Sequence, residues 1–267
     1  MNAITDLQFS VADRREYRPS RHLSGTNLWR SPFLMQEERR ALEQAVIWCK
    51  PFEAHKDLVS EAERSDTLLV VVSGWACRYS CVADGGRQLT ALLVPGDITN
   101  LDTLLFEQVT YSVRTLTDTT IVALPRNHVL ALADQYSGIA RTFTSLAMGE
   151  NAIAGKWLVS LGRRSAHARV AHLLCEIAIR VGGEDGNEAS FAFPLRQEQI
   201  GDLLGLTNVH VNRMIQRLRG EGLVEICDRV VKIRDVAALR YEAGFDPAYL
   251  HMHQAVDATA RPAVDVA

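Results

Sequence analysis

The sequence predicts an α+β chain in three parts: an N-terminal antiparallel β-roll, a long dimerisation helix, and a C-terminal pair of short crossed helices followed by a hairpin. Three observations carry that expectation. Residues 66–125 are aliphatic and β-branched runs broken by Gly74, Asp84-Gly85-Gly86 and Pro95-Gly96-Asp97, the pattern of short strands joined by tight turns. Residues 127–162 switch to helical periodicity with no strand signal. Residues 196–234 hold two short helical patterns hinged at Gly205, then two short strand patterns.

Whole-chain numbers set the limits. A chain of 267 residues suits two domains and a connector, and 47% apolar with 23% charged residues is ordinary for a globular protein. No run approaches the roughly 18 apolar residues of a membrane span, and the opening MNAITDLQFSVADRRE lacks the basic-then-apolar order of a signal peptide. A cytoplasmic protein without a membrane partner is expected. Cys49, Cys77, Cys81, Cys175 and Cys227 are odd in number and scattered, which argues for reduced thiols over a disulfide framework. The formal net charge of −3 decides nothing, because nucleic-acid binding depends on where positive charge sits.

Residues 1–24 are polar, Arg-rich and aperiodic, and read as a flexible arm. Residues 28–50 read as one amphipathic helix, with Leu42, Ala45, Val46 and Cys49 at helical spacing. The strand runs, closed by YSVRTLT and TTIVALP, give a β-roll within residues 25–130. In residues 131–162, Ile139, Phe143, Leu146, Glu150, Ile153 and Trp157 alternate by four and three, the spacing of a seam between two helices, so a homodimer is expected. The same face packed on its own β-roll is the alternative, and Glu150 needs a counter-charge in either case. Residues 165–181 read as a further amphipathic helix and GGEDGNEASF as a loop, within a unit spanning 163–240. Residues 241–267 read as a tail, and the pair His251 and His253 as solvated rather than metal-binding.

The segment FPLRQEQIGDLLGLTNVHVNRMIQRLRGEGLVEICDRVVKIRD is the most informative. Ile200, Leu203 and Leu204 face inward, Gly201 sits where two helices cross closely, and Gly205 ends the first helix. Thr207 caps the second helix, whose core face is Val211, Met214, Ile215 and Leu218. Opposite stand Asn208, His210, Asn212, Arg213, Gln216, Arg217 and Arg219, a row of donors with no acid before Glu221. That is the composition of a helix lying in the major groove of DNA. LVEIC and VVKIR then form a β-wing joined at Asp228-Arg229, completing a winged helix-turn-helix.

Residues 196–224 resemble the helix-turn-helix of the CRP/FNR family of bacterial transcription regulators, and SGWACRY, the DGGRQ hairpin and VPGD resemble its cyclic-nucleotide-binding-type β-roll. The likeness covers roughly residues 30–236 and implies a homodimer on a pseudo-palindromic operator. RNA polymerase is a further partner if the protein activates. Family members read bases with a polar residue after the cap, then an acid, then an arginine four residues on; here Asn208, Val209 and Arg213 stand there. The resemblance thus implies base contacts from Arg213, Asn208, Val209, His210 and Asn212. Phosphate contacts fall to Arg217, Arg219, Arg196 and the wing residues Arg229 and Lys232. Members that bind cyclic AMP hold its phosphate with Gly-Glu after the PGD turn and with Arg-Ser before the next strand. Those positions hold Asn100-Leu101 and Val109-Thr110, and the nearest arginine is Arg114, so cyclic-nucleotide binding is not expected.

No cofactor is predicted. The cysteine cluster of the iron–sulfur members is missing from the N-terminal arm, and Cys77 and Cys81 are some 13 Å apart on a strand at about 3.3 Å per residue. Haem is left open, with His55 and His128 as candidate ligands. A second reading is an effector-binding or redox-sensing protein with vestigial DNA binding. An enzyme is not expected, since no nucleophile elbow, phosphate loop or paired-carboxylate motif is present.

Overall fold

The computed structural model describes residues 23–251; most of the N-terminal arm and residues 252–267, including His253, lie outside the described residues. Two short helices lead in, α1 (Asn27–Arg30) and α2 (Gln36–Ala45). The helix expected over 28–50 therefore stops at Ala45. Val46, Ile47 and Trp48 are β-branched or aromatic, and Cys49 lies on strand β1 (Trp48–Phe52).

Strands β2 (Asp57–Val59), β3 (Thr67–Ser73), β4 (Ala76–Cys81), β5 (Arg87–Leu93), β6 (Ser112–Thr115) and β7 (Thr119–Pro125) complete the roll. They form two antiparallel sheets, β1-β7-β3 and β2-β6-β4-β5, which bury Leu58, Val71, Leu93, Val113 and Ile121 between them. Helix α3 (Arg126–Gln135) then leads to α4 (Ser137–Arg163), 27 residues and about 40 Å long.

The face of α4 expected to form a seam turns inward instead. Ile139 and Phe143 are buried in a core with Leu34, Leu42 and Val129, and Leu146 packs on its edge. Ile153 and Trp157 pack against the core of the C-terminal half. Glu150 finds its counter-charge within the chain: Arg78 of β4 donates to its two oxygens at 2.7 and 3.0 Å. Apolar residues recurring by four and three mark a stripe that seeks cover, and here Ile139 and Phe143 are buried within the chain while Leu146, Glu150, Ile153 and Trp157 are half-buried.

Helix α5 (Ala166–Arg180) is capped by the Ser165 hydroxyl and buries Val170, Leu173, Leu174 and Ile177 as its periodicity requires. GGEDGNEASF, expected as a loop, is a hairpin of β8 (Glu184–Asp185) and β9 (Glu188–Ala192). Its signal is period two: Ala189 and Phe191 are buried and Ser190 and Ala192 exposed. After α6 (Gln197–Leu204) and α7 (Asn208–Gly220), β10 (Val224–Cys227) and β11 (Val230–Ile233) join that hairpin in one sheet, ordered β10-β11-β9-β8.

Helix α8 (Val236–Ala243) ends at Gly244 in the left-handed conformation, and the chain turns back on itself. Phe245, Tyr249 and Leu250 are buried, so the expected tail is core as far as Leu250. Tyr249 donates its hydroxyl to Glu176 at 2.7 Å. The same fully buried carboxylate accepts from Trp157 Nε1 at 2.8 Å and from Arg180 at 3.1 Å. Arg180 also donates to Asp97 of the β-roll at 2.7 Å. A buried charge is tolerated only with such partners, and these join roll, α4, α5 and the C-terminal turn.

His172 of α5 is sealed under that turn, stacked on Tyr249 with Phe245 edge-on. Burial, with Arg164 and Lys156 nearby, holds its imidazole down to about 4. An unfolded histidine takes up its proton near 6.5, so between 6.5 and 4 the unfolded chain binds more protons and stability falls with falling pH. The loss is of order 3 kcal/mol when complete. Urea unfolding at a series of pH values should show this slope in the natural chain and a flatter one in His172→Phe; equal slopes would contradict the assignment.

Candidate nucleic-acid interface

The helix pair α6–α7 is set by one backbone contact. A Cβ at Gly201 would lie 2.5 Å from the Leu206 carbonyl oxygen, so only glycine lets the corner of the turn come this close. Gly205 ends α6 at φ 63°, and Leu206 is half-buried beneath the corner. The Thr207 hydroxyl then accepts from the His210 N–H at 3.3 Å and starts α7 in its new direction.

Burial of Val211, Ile215 and Leu218, with Met214 half-buried, fixes which way α7 turns. Asn208, His210, Asn212, Arg213 and Gln216 are all exposed, and Val209 is 76% exposed. With Gln197 of α6, four of these residues border a shallow depression of about 380 Å³. No acid lies in the first turn of α7, so the positive end of its dipole faces outward uncompensated. Among the described residues Arg213 has no ion pair.

Two of the arginines grouped with it in sequence are engaged inside the chain. Arg217 donates to Glu221 at 2.8 Å, and that carboxylate also meets His167 at 2.9 Å. Arg219 donates to the Ile226 carbonyl at 2.6 Å and braces the wing. At the wing tip Asp228 and Arg229 both have positive φ, 49° and 61°, the combination of a type I′ turn, leaving Arg229 and Lys232 exposed. Arg196, at the start of α6, borders a small cleft against the β-roll with Arg87 and Arg114.

Sequence reasoning missed how the β4–β5 hairpin holds this unit. Arg87 pairs with Asp202 and Glu198, and Gln88 donates to the Leu203 carbonyl at 3.1 Å, all on α6. Contacts over a hundred residues apart leave no local signal. The thiols of Cys77 and Cys175 are pushed up to about 12 by burial, so neither is a thiolate near neutral pH. His55 and His128 are exposed, and no group of three or more His, Cys, Asp or Glu among the described residues could hold a metal ion. No helix of the described residues is long and apolar enough to cross a membrane.

Replacing Gly201 by alanine should force α6 from the turn and cost about 1–3 kcal/mol. Thermal unfolding measures it, and an unchanged or raised midpoint would contradict the contact.

Comparison with known proteins bears on this geometry. Residues 168–242 match a Crp-like helix-turn-helix domain and residues 49–136 a cyclic nucleotide-binding domain. The transcriptional activator protein FnrL of Cereibacter sphaeroides is 28% identical over 215 residues, covering 79% of this chain and 86% of FnrL. The nitrogen fixation regulation protein FixK of Azorhizobium caulinodans is 28% identical over 71% of this chain and 76% of FixK. The solved structure of FixK2 from Bradyrhizobium japonicum superposes with a TM-score of 0.68 at 25% identity, over 74% of this chain and 98% of FixK2. With the sensor-type roll and the winged helix matched in one chain, the protein belongs to the CRP/FNR family of DNA-binding transcription regulators.

Proposed function

We propose that two copies of this chain bind an inverted-repeat duplex, each laying the outer face of α7 in a major groove. The observation that carries this is the exposed, unpaired Arg213 among Asn208, Val209, His210, Asn212 and Gln216. Arg213 offers a bidentate fork to guanine, and Val209 an apolar contact for a thymine methyl. Thr207, Arg196, Arg229 and Lys232 meet phosphates, as do the exposed edges of Arg217 and Arg219. Relatives named as transcriptional activators support RNA polymerase as a further partner, and a cytoplasmic location follows from this role.

The pairing surface is the outer face of α4, one or two residues on from the stripe that periodicity suggested. Thr144, Met148, Asn151, Gly155, Leu158 and Gly162 recur by four and three and are all exposed, Met148 at 68% and Leu158 at 72%. A Cβ at Gly155 or Gly162 would meet nothing within 4 Å, so a second helix could approach closely there.

Arg213→Ala should weaken binding to the selected site by about 1–3 kcal/mol and relax one base position, while random DNA is held nearly as before. Equal losses on both, measured by fluorescence anisotropy, would mean that Arg213 reads no base. Leu158→Asp should sediment as a monomer because it sets a carboxylate in the seam, whereas Trp157→Phe should remain a dimer. A dimeric Leu158→Asp would remove this surface from the account.

A further inference from the structure

The roll matches a cyclic nucleotide-binding domain, yet the residues present do not fit a cyclic phosphate. Asn100 is fully buried: its Oδ1 accepts from the Leu69 N–H at 2.9 Å and its amide donates to the Thr67 carbonyl at 2.8 Å. Leu101 and Val109 are buried apolar residues, and Arg114 donates to both oxygens of Asp57 at 2.7 and 2.6 Å. An incoming phosphate would find no uncommitted cation at these positions. What fixes the winged helix relative to α4 lies elsewhere, at the C-terminal end of the described chain.

Only Arg164 and Ser165 join α4 to α5, and both are extended, with ψ 147° and 158°. Helix α7 packs on α5, so rotation about these two residues would swing the outer face of α7 relative to α4. The segment from Phe245 to Leu250 lies across this joint. Gly244, at φ 53°, turns the chain back, and Asp246 accepts from the Ala248 N–H at 2.9 Å to set the turn Pro247–Leu250. On the α5 side, His172 is stacked on Tyr249 with ring centroids 6.0 Å apart and meets the edge of Phe245 at 5.0 Å. On the α4 side, the Lys156 ammonium lies 5.6 Å from the centre of the Tyr249 ring. Tyr249 and Trp157 of α4 donate to the same oxygen of Glu176 on α5. Arg164 in the joint donates to the Ala243 and Gly244 carbonyls at 3.1 and 3.2 Å and to Ser160 Oγ of α4 at 3.3 Å. Arg169 of α5 holds the other side through the Leu161 and Arg164 carbonyls at 2.7 and 3.1 Å.

We propose that Phe245 and Tyr249 are positioning residues for DNA binding: they strap α5 to α4 and so fix the angle and separation at which two copies present α7. The role rests on the reading of two copies on an inverted repeat. A segment that merely closed the core of the C-terminal unit would stay on α5 and α8, whereas this one reaches α4, which packs more extensively on Pro247–Leu250 than on α5 itself. Phe245, Tyr249 and Leu250, all buried, are withdrawn from water to make that bridge. A joint held before DNA arrives has no ordering entropy left to lose on binding. Once loosened, it would still let one α7 reach a half-site, but two would no longer be held at one spacing. Residues outside the base-reading face thus select the spacing that is recognised.

The test uses the full chain, with Phe245→Ala and the milder Phe245→Leu, on three duplexes. These are the inverted repeat selected from a random pool, the same half-sites set one base pair (about 3.4 Å) further apart, and a single half-site. The natural chain should prefer the selected spacing at least about tenfold, because only that geometry engages both half-sites. Phe245→Ala should cut the preference to about threefold or less while holding the single half-site within about twofold, with Phe245→Leu between it and the natural chain. Loss of fold would instead lower all three affinities together. Without DNA, trypsin should cut after Arg163 or Arg164 at least about tenfold faster in Phe245→Ala, because the joint opens more often. An unchanged spacing preference, an equal loss on all three duplexes, or unchanged cleavage of the joint would each overturn the proposal. If Phe245→Ala does not fold, Phe245→Leu decides it by the same two readings. A natural chain indifferent to the repeat would remove the inverted-repeat reading and the positioning role with it. The cleavage rates would still show whether the segment holds the joint, so the two failures are distinguishable.

Discussion

The approach of the Gly201 backbone to the Leu206 carbonyl is the constraint on which the outward face of α7 depends. With a side chain at 201 the two helices would separate, Leu206 would leave its corner, and Thr207 would no longer start α7 in the present direction. Burial of Val211, Ile215 and Leu218 then decides the rotation of α7 about its axis, and Arg213 is exposed because those three are not. Among the described residues no acid pairs with the Arg213 guanidinium, which leaves that face open to an outside acceptor such as a nucleic-acid phosphate or base edge.

A second constraint holds this unit against the rest of the molecule. Glu176 is fully buried and accepts hydrogen bonds from α4, α5 and the turn after α8, while Arg180 extends the network to Asp97 in the roll. Removing any one partner would leave buried charge undercompensated, which is far more costly than losing a surface ion pair. The roll makes its own second hold on α6 through Arg87 and Gln88.

Local features of the sequence were legible where one residue type is demanded by backbone geometry or capping. Gly201, Gly205, Thr207 and the Asp228-Arg229 turn all stand as the pattern required. Periodicity located α4 but not its environment, because an apolar stripe looks the same whether a second copy or the rest of the same chain lies against it. Ile139 and Phe143 are covered from within, and the exposed stripe of Thr144, Met148 and Leu158 is too small and mixed to stand out. Strand β9 was hidden by the glycines and acids around it, and the role of Tyr249 by its distance in sequence from Glu176. The partner of Glu150 was equally invisible, since Arg78 lies 72 residues away.

The central claim, that paired α7 helices read a symmetric DNA site, is tested most directly by selecting bound duplexes from a random pool with the purified protein. The account predicts enrichment of an inverted repeat whose half-sites are centred about one helical turn apart, roughly 34 Å. Recovery of unrelated sequences, or of a single unrepeated element, would contradict it.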